Sequence, residues 1–228
     1  MRSVIVLVIA GSMSLVAQQR PVPGPVDAYA GEAMPDGRGS WQSRFPSDNA
    51  DATESLGRYS GTFRGDQNWK IHFDVRIDPT FAPNQKVILR AAMDVLAQEL
   101  FAGRVWNCAE REGLTLPRPT VGDFQDRLYQ MLRVENAPVR TLYVTRFWYD
   151  ATGIAGLARL NYVDQAGNFW ITLNSQKIGD GVIGAFNSSR AWAGIVAHEM
   201  LHNLGLVHPI YDRQGTRNEF IYAFGDCM

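Results

Sequence analysis

The chain has 228 residues, 46% of them hydrophobic and 20% charged, a make-up that suits a globular protein long enough to bury one sizeable core. Lys+Arg 22 against Asp+Glu 23 leaves a formal charge of −1, so no basic excess points to nucleic acid or to an anionic lipid surface. Two cysteines exclude a disulfide-dense scaffold and an all-cysteine zinc site.

Residues 1–17, MRSVIVLVIAGSMSLVA, read as a secretory signal. Arg2 supplies a short positive start, the apolar stretch is too short to span a bilayer comfortably, and Ala17 is the expected cleavage residue. No later segment is apolar for long enough to cross a membrane. Export to a periplasmic or extracellular space would put Cys108 and Cys227 in an oxidising environment, where they can pair. Two buried free thiols are the other reading. Residues 18–66 are rich in Pro, Gly, Ser and Asp with poor apolar periodicity, and are expected to be a flexible linker or pro-segment. The folded domain is expected over 67–228.

From Ile71 to Ile77 apolar and polar residues alternate as in a strand. In the following segment Ile88, Ala91, Ala92, Val95, Leu96 and Leu100 recur at helical spacing and predict an amphipathic helix of about four turns. Residues 103–122 read as irregular, and Phe124, Leu128, Met131 and Leu132 suggest a shorter second helix. Strands are predicted over 139–148, 152–160 and 168–174; glycines mark the middle one as an edge strand. The last helix is expected from Ser188 or Ser189, plausible N-caps, to Gly205, which suits a left-handed C-terminal turn. It is apolar almost all round and therefore buried.

Three of the four histidines lie on and just after this helix, in His198-Glu199-Met200-Leu201-His202-Asn203-Leu204-Gly205-Leu206-Val207-His208. Residues four apart share a helix face, so His198 and His202 can bring two imidazoles to one ion. Glu199 neighbours the first ligand and can reach a water on the metal without ligating it. Gly205 can reverse the chain because it adopts positive φ without penalty, and the turn would return His208 as a third ligand. Three protein ligands leave an open position, as at a catalytic site. A chance match to this eleven-residue pattern is on the order of a few in a million. The fourth histidine, His72, alternates within a strand and reads as structural.

Residues 198–208 carry in full the zinc signature of the metzincin metalloendopeptidases, and the order of elements from about residue 69 is also similar to theirs. The resemblance implies an α/β (α+β) fold: a twisted, mostly parallel sheet with an antiparallel edge strand, a backing helix, an active-site helix and a very short C-terminal part over 209–228. It implies one catalytic Zn²⁺ held by His198, His202 and His208. Glu199 would be general base toward a metal-activated water, with a polypeptide substrate as partner. The edge strand Gly153, Ile154, Ala155, Gly156, Leu157 and Ala158 would hold the peptide extended. A secreted monomer that binds neither nucleic acid nor, once the signal is removed, membrane is expected.

Metzincins carry a methionine in a tight turn beneath the zinc. The only methionine after His208 is Met228, the Met-turn candidate, and its place at the last residue departs from the family pattern. A Cys108–Cys227 disulfide would hold Met228 in place; the rival is Cys227 as a thiolate on the open zinc position. Two further readings stay open: a secreted zinc-binding protein without protease activity, and a zinc hydrolase of non-peptide amides or esters. The sequence says nothing of calcium sites or of side-chain preference.

Overall fold

Alternating apolar residues build β2 (Lys70–Ile77), which pairs antiparallel with the more polar β1 (Glu54–Thr62) from Glu54↔Ile77 to Thr62↔Lys70. The computed structural model describes residues 52–63, 68–112, 120–135, 138–147, 155–179, 188–206 and 220–228. The expected signal at 1–17, His208 and the segment 209–219 therefore lie outside the described residues. Residues 54–62, expected within a flexible segment, are instead an edge strand, so the sheet begins before residue 67. Their polar, glycine-bearing sequence hides the strand because only Leu56 is buried along it.

Three helices follow. In α1 (Pro83–Ala102), proline sits in the first turn, where its missing N–H is harmless, and Gly103 ends the helix at φ 69. Residues 104–112 form α2 (Arg104–Glu112), where an irregular segment was expected. The third helix, α3 (Val121–Leu132), begins with a reciprocal cap: the Thr120 hydroxyl accepts from the Asp123 backbone N–H at 3.3 Å, and the Asp123 carboxylate accepts from the Thr120 N–H at 2.7 Å.

The remaining elements are β3 (Thr141–Phe147), β4 (Gly156–Val163), β5 (Phe169–Asn174), α4 (Ser189–Asn203) and α5 (Phe220–Asp226). The sheet order is β1-β2-β3-β5-β4. β2–β3 and β3–β5 run parallel, whereas β1–β2 and β4–β5 run antiparallel. The fold is thus α+β as expected, but the sheet is evenly mixed and not mostly parallel: a parallel centre carries an antiparallel strand on each edge. After β3 the chain runs to the far edge, makes β4, and turns back through residues 164–168 to insert β5 between them.

The core joins Phe73, Val75, Val144, Ile171 and Leu173 of the sheet to Leu89, Met93 and Leu96 of α1 and to Trp192, Val196 and Met200 of α4. Burying a side chain of this size contributes about 1.5–3 kcal/mol. Trp106 on α2 donates through its indole N–H to the Tyr129 hydroxyl at 2.9 Å, which donates to the Leu100 carbonyl at 2.6 Å. Two large polar-tipped rings are thereby buried with their hydrogen bonds made.

Candidate metal centre

The Ser188 hydroxyl caps α4 by accepting from the Ala191 N–H at 3.1 Å. From Trp192 to Asn203 every residue is buried, because α4 packs against α1, α5, β4 and β5. The helix ends in a Schellman motif: the Leu206 N–H bonds the Leu201 carbonyl at 3.0 Å and the Gly205 N–H bonds the His202 carbonyl at 2.9 Å. Gly205 takes φ 99, a left-handed conformation open to glycine without steric cost. From α3, Arg127 donates to the free Leu204 carbonyl at 2.8 Å.

This helix end does more than stop the chain. Its turn aims the Leu206 carbonyl back at His202, whose Nδ1 lies 2.6 Å from that oxygen. A carbonyl only accepts, so Nδ1 carries the proton and Nε2 of neutral His202 presents a lone pair. That Nε2 lies 3.1 Å from Nε2 of His198. Two imidazole nitrogens each about 2.0–2.1 Å from a tetrahedral zinc would stand roughly 3.3 Å apart. The helical spacing thus brings both rings to one point.

His198 has a second contact, a backbone hydrogen bond with Ile221 that favours the protonated ring, as an accepting carbonyl does. Burial, and then neighbouring His202, nonetheless push the His198 pKa well below 6.5. A neutral His198 owns one N–H, and two acceptors compete for it: the Ile221 backbone and Nε2 of His202. A cation between the two Nε2 atoms would satisfy both rings at once. The Tyr222 ring lies against His198 at 5.0 Å between centroids, on the side that α5 provides.

Glu199 is fully buried, and among the described residues neither carboxylate oxygen has a hydrogen-bond partner. Desolvation raises its pKa well above 4.5. A buried carboxylate without hydrogen bonds is unfavourable as an anion unless a positive charge stands close. It lies against β4 at Gly156, where an added Cβ would be 2.8 Å from Glu199 Oε1 and 2.9 Å from Ile195 Cγ2. Gly156 is therefore needed for room, a role distinct from the edge-strand character that its sequence suggested.

The expected substrate strand is only partly described: Gly153 and Ile154 lie outside the described residues, Ala155 accepts from the Asn174 N–H at 2.8 Å, and β4 runs on to Val163. Ala155, Leu157 and Ala158 are buried. The β4–β5 register breaks between Ala158 and Val163, and there Asn203 at the end of α4 accepts from the Trp170 backbone N–H at 2.9 Å. The interior strand β5 and the end of α4 are thereby tied together.

Cys108 and Cys227 form a disulfide, Cα–Cα 6.0 Å, which removes both the free thiols and a Cys227 thiolate as metal ligand. Met228 is fully buried, and its N–H bonds the Gly225 carbonyl at 3.2 Å in a tight turn after α5. His72 is half-buried in β2, remote in the chain from α4. Among the described residues no cluster of three metal-ligating side chains stands together, and the third expected ligand, His208, lies outside them. The Leu206 carbonyl, Ile221 and Tyr222 were not legible as parts of the site; Gly156 was expected in the substrate strand, but its contact with Glu199 was not, and Gly205 was expected to return His208 rather than a carbonyl.

No family model, no curated protein and no solved structure matches the chain.

Proposed function

We propose that the chain is an exported zinc-dependent endopeptidase of the metzincin type, with His198, His202 and His208 as zinc ligands and Glu199 as general base. The observation that carries this reading is the pair of Nε2 atoms 3.1 Å apart, with His202 oriented by the Leu206 carbonyl and His198 by Ile221. Metal-binding histidines are commonly held by such acceptors on their other ring nitrogen, which fix the tautomer and raise ligand basicity. The Glu199 carboxyl, which has no hydrogen-bond partner among the described residues, adds a buried group whose charged form a nearby cation would favour.

Zinc, when bound, supplies a Lewis acid that polarises a carbonyl and makes water acidic near neutral pH. Glu199 then has two tasks. It takes a proton from the attacking water, and it returns that proton to the leaving amine. Its buried surroundings raise its affinity for the proton, which brings an ordinary carboxylate closer to the pH at which it must work. The side of β4 away from β5 offers backbone groups to an extended peptide, which would join the sheet as a further strand. The disulfide supports the exported location, since such bonds persist in oxidising compartments.

The test is zinc content together with cleavage of casein or quenched peptides, with and without a chelator. One zinc per chain and chelator-sensitive cleavage are expected. Stoichiometric zinc without cleavage of peptides would instead assign a zinc-binding protein, and cleavage confined to small amides or esters a non-peptide hydrolase.

A further inference from the structure

We propose that α5 is a positioning element for His198, in which the Tyr222 ring sets the imidazole and the Cys108–Cys227 disulfide keeps the helix in place. The inference rests on the metal reading above. The two histidines are held differently. His202 is oriented from within its own helix end, by the Leu206 carbonyl four residues on. His198 is oriented from outside, by the Ile221 backbone and the Tyr222 ring, both on α5.

A helix of seven residues cannot hold itself, since nucleation is unfavourable and isolated helices below about 12–15 residues are marginal in water. Three contacts fix α5 instead. The disulfide joins its C-terminal end to α2. Trp106 of α2 packs on Phe224 with centroids 4.6 Å apart and on Phe220 at 6.4 Å. Gly225 meets Gly194 of α4 backbone to backbone. One face of α5 thus grips α2 and α4, while its first turn presents Ile221 and Tyr222 to His198. The His198 ring lies 5.0 Å from the Tyr222 ring and 4.8 Å from the His202 ring between centroids, so losing the tyrosine ring removes one of the groups packed against the imidazole.

The test is cobalt(II) affinity of the full chain, measured by competition with a chelating dye, with the visible cobalt absorption as a second readout. Tyr222→Phe, which keeps the ring, is expected to bind like wild type. Tyr222→Ala should bind about 10–100-fold more weakly and change the cobalt spectrum, the usual consequence of removing a group that orients a ligand. The double variant Cys108→Ser with Cys227→Ser should weaken binding similarly. Because losing the disulfide also lowers stability, Tyr222→Ala, which keeps it, is decisive, with circular dichroism to show that it folds. Wild-type affinity and spectrum in Tyr222→Ala would overturn the positioning role and leave the metal reading standing. Equal loss in Tyr222→Phe would overturn the assignment to the ring. A wild type that binds no cobalt would overturn the metal reading, and this inference with it.

Discussion

A Cβ added to Gly194 would lie 2.4 Å from the Gly225 carbonyl oxygen, so α4 and α5 touch backbone to backbone one turn before His198. Gly194→Ala gains up to about 1 kcal/mol of helix propensity. The obstacle is backbone and cannot rotate away, so overpacking of about 1–3 kcal/mol or more outweighs that gain. The melting temperature is expected to fall by roughly 3–8 °C. Calorimetry checks this, and an unchanged or raised value would mean that the two helices have room to part.

Glu199→Gln is expected to retain zinc while peptide turnover falls by about 10²–10⁴-fold, because the amide keeps the shape and loses the base. Steady-state kinetics beside metal analysis separates the two effects. Full turnover in the variant would remove Glu199 from the chemistry.

The same substitution should change how the metal-free protein responds to pH. The folded-state pKa of Glu199 is raised above 4.5 by burial. Its neutral form therefore contributes stability that is complete below 4.5 and is lost as the pH climbs through the folded value. Chelator-treated Glu199→Gln should gain on wild type as the pH rises above 4.5, with the gain vanishing near pH 4. His198 acts oppositely: burial, then His202, lower its pKa, so its contribution is full above 6.5 and declines as the pH falls through the folded value. Both proteins keep His198, so the difference between their denaturation curves isolates Glu199. A difference that does not vary with pH would show that the carboxyl titrates normally.

Gly205 is expected to matter to the metal as well as to the helix end. Gly205→Ala forces a side chain into a left-handed conformation at a cost of about 1–2 kcal/mol. Relieving that strain would move the Leu206 carbonyl away from His202 Nδ1. Zinc affinity should then fall by about 10-fold or more, as for other groups that orient a ligand. Isothermal titration reads the change; loss of stability with affinity intact would confine Gly205 to the fold.

Most of the parallel centre was legible in the sequence. Ile71, Phe73, Val75 and Ile77 alternate because a strand has two faces, and they are all buried in β2. The apolar spacing of α1 and the capped, all-apolar α4 were equally plain. The histidine pair was legible for the same reason: convergence of residues four apart follows from helix pitch, a local property. The mixed sheet was not, because β1 buries little and β4 reaches its partner only after β5 has been inserted. Neither were α2 and α5, short helices held in place by packing on each other through Trp106, Phe220 and Phe224.

By itself, then, the chain's order of residues determined the elements of the centre, the paired imidazoles and the glycine that turns the helix end. Only the tertiary structure decided that Cys108 meets Cys227, that Gly156 makes room for Glu199, and that Ile221 and Tyr222 reach His198. The reason is range. Backbone geometry sets what lies one turn away, whereas contacts between residues 119 apart exist only once several packed layers agree on where each helix must lie.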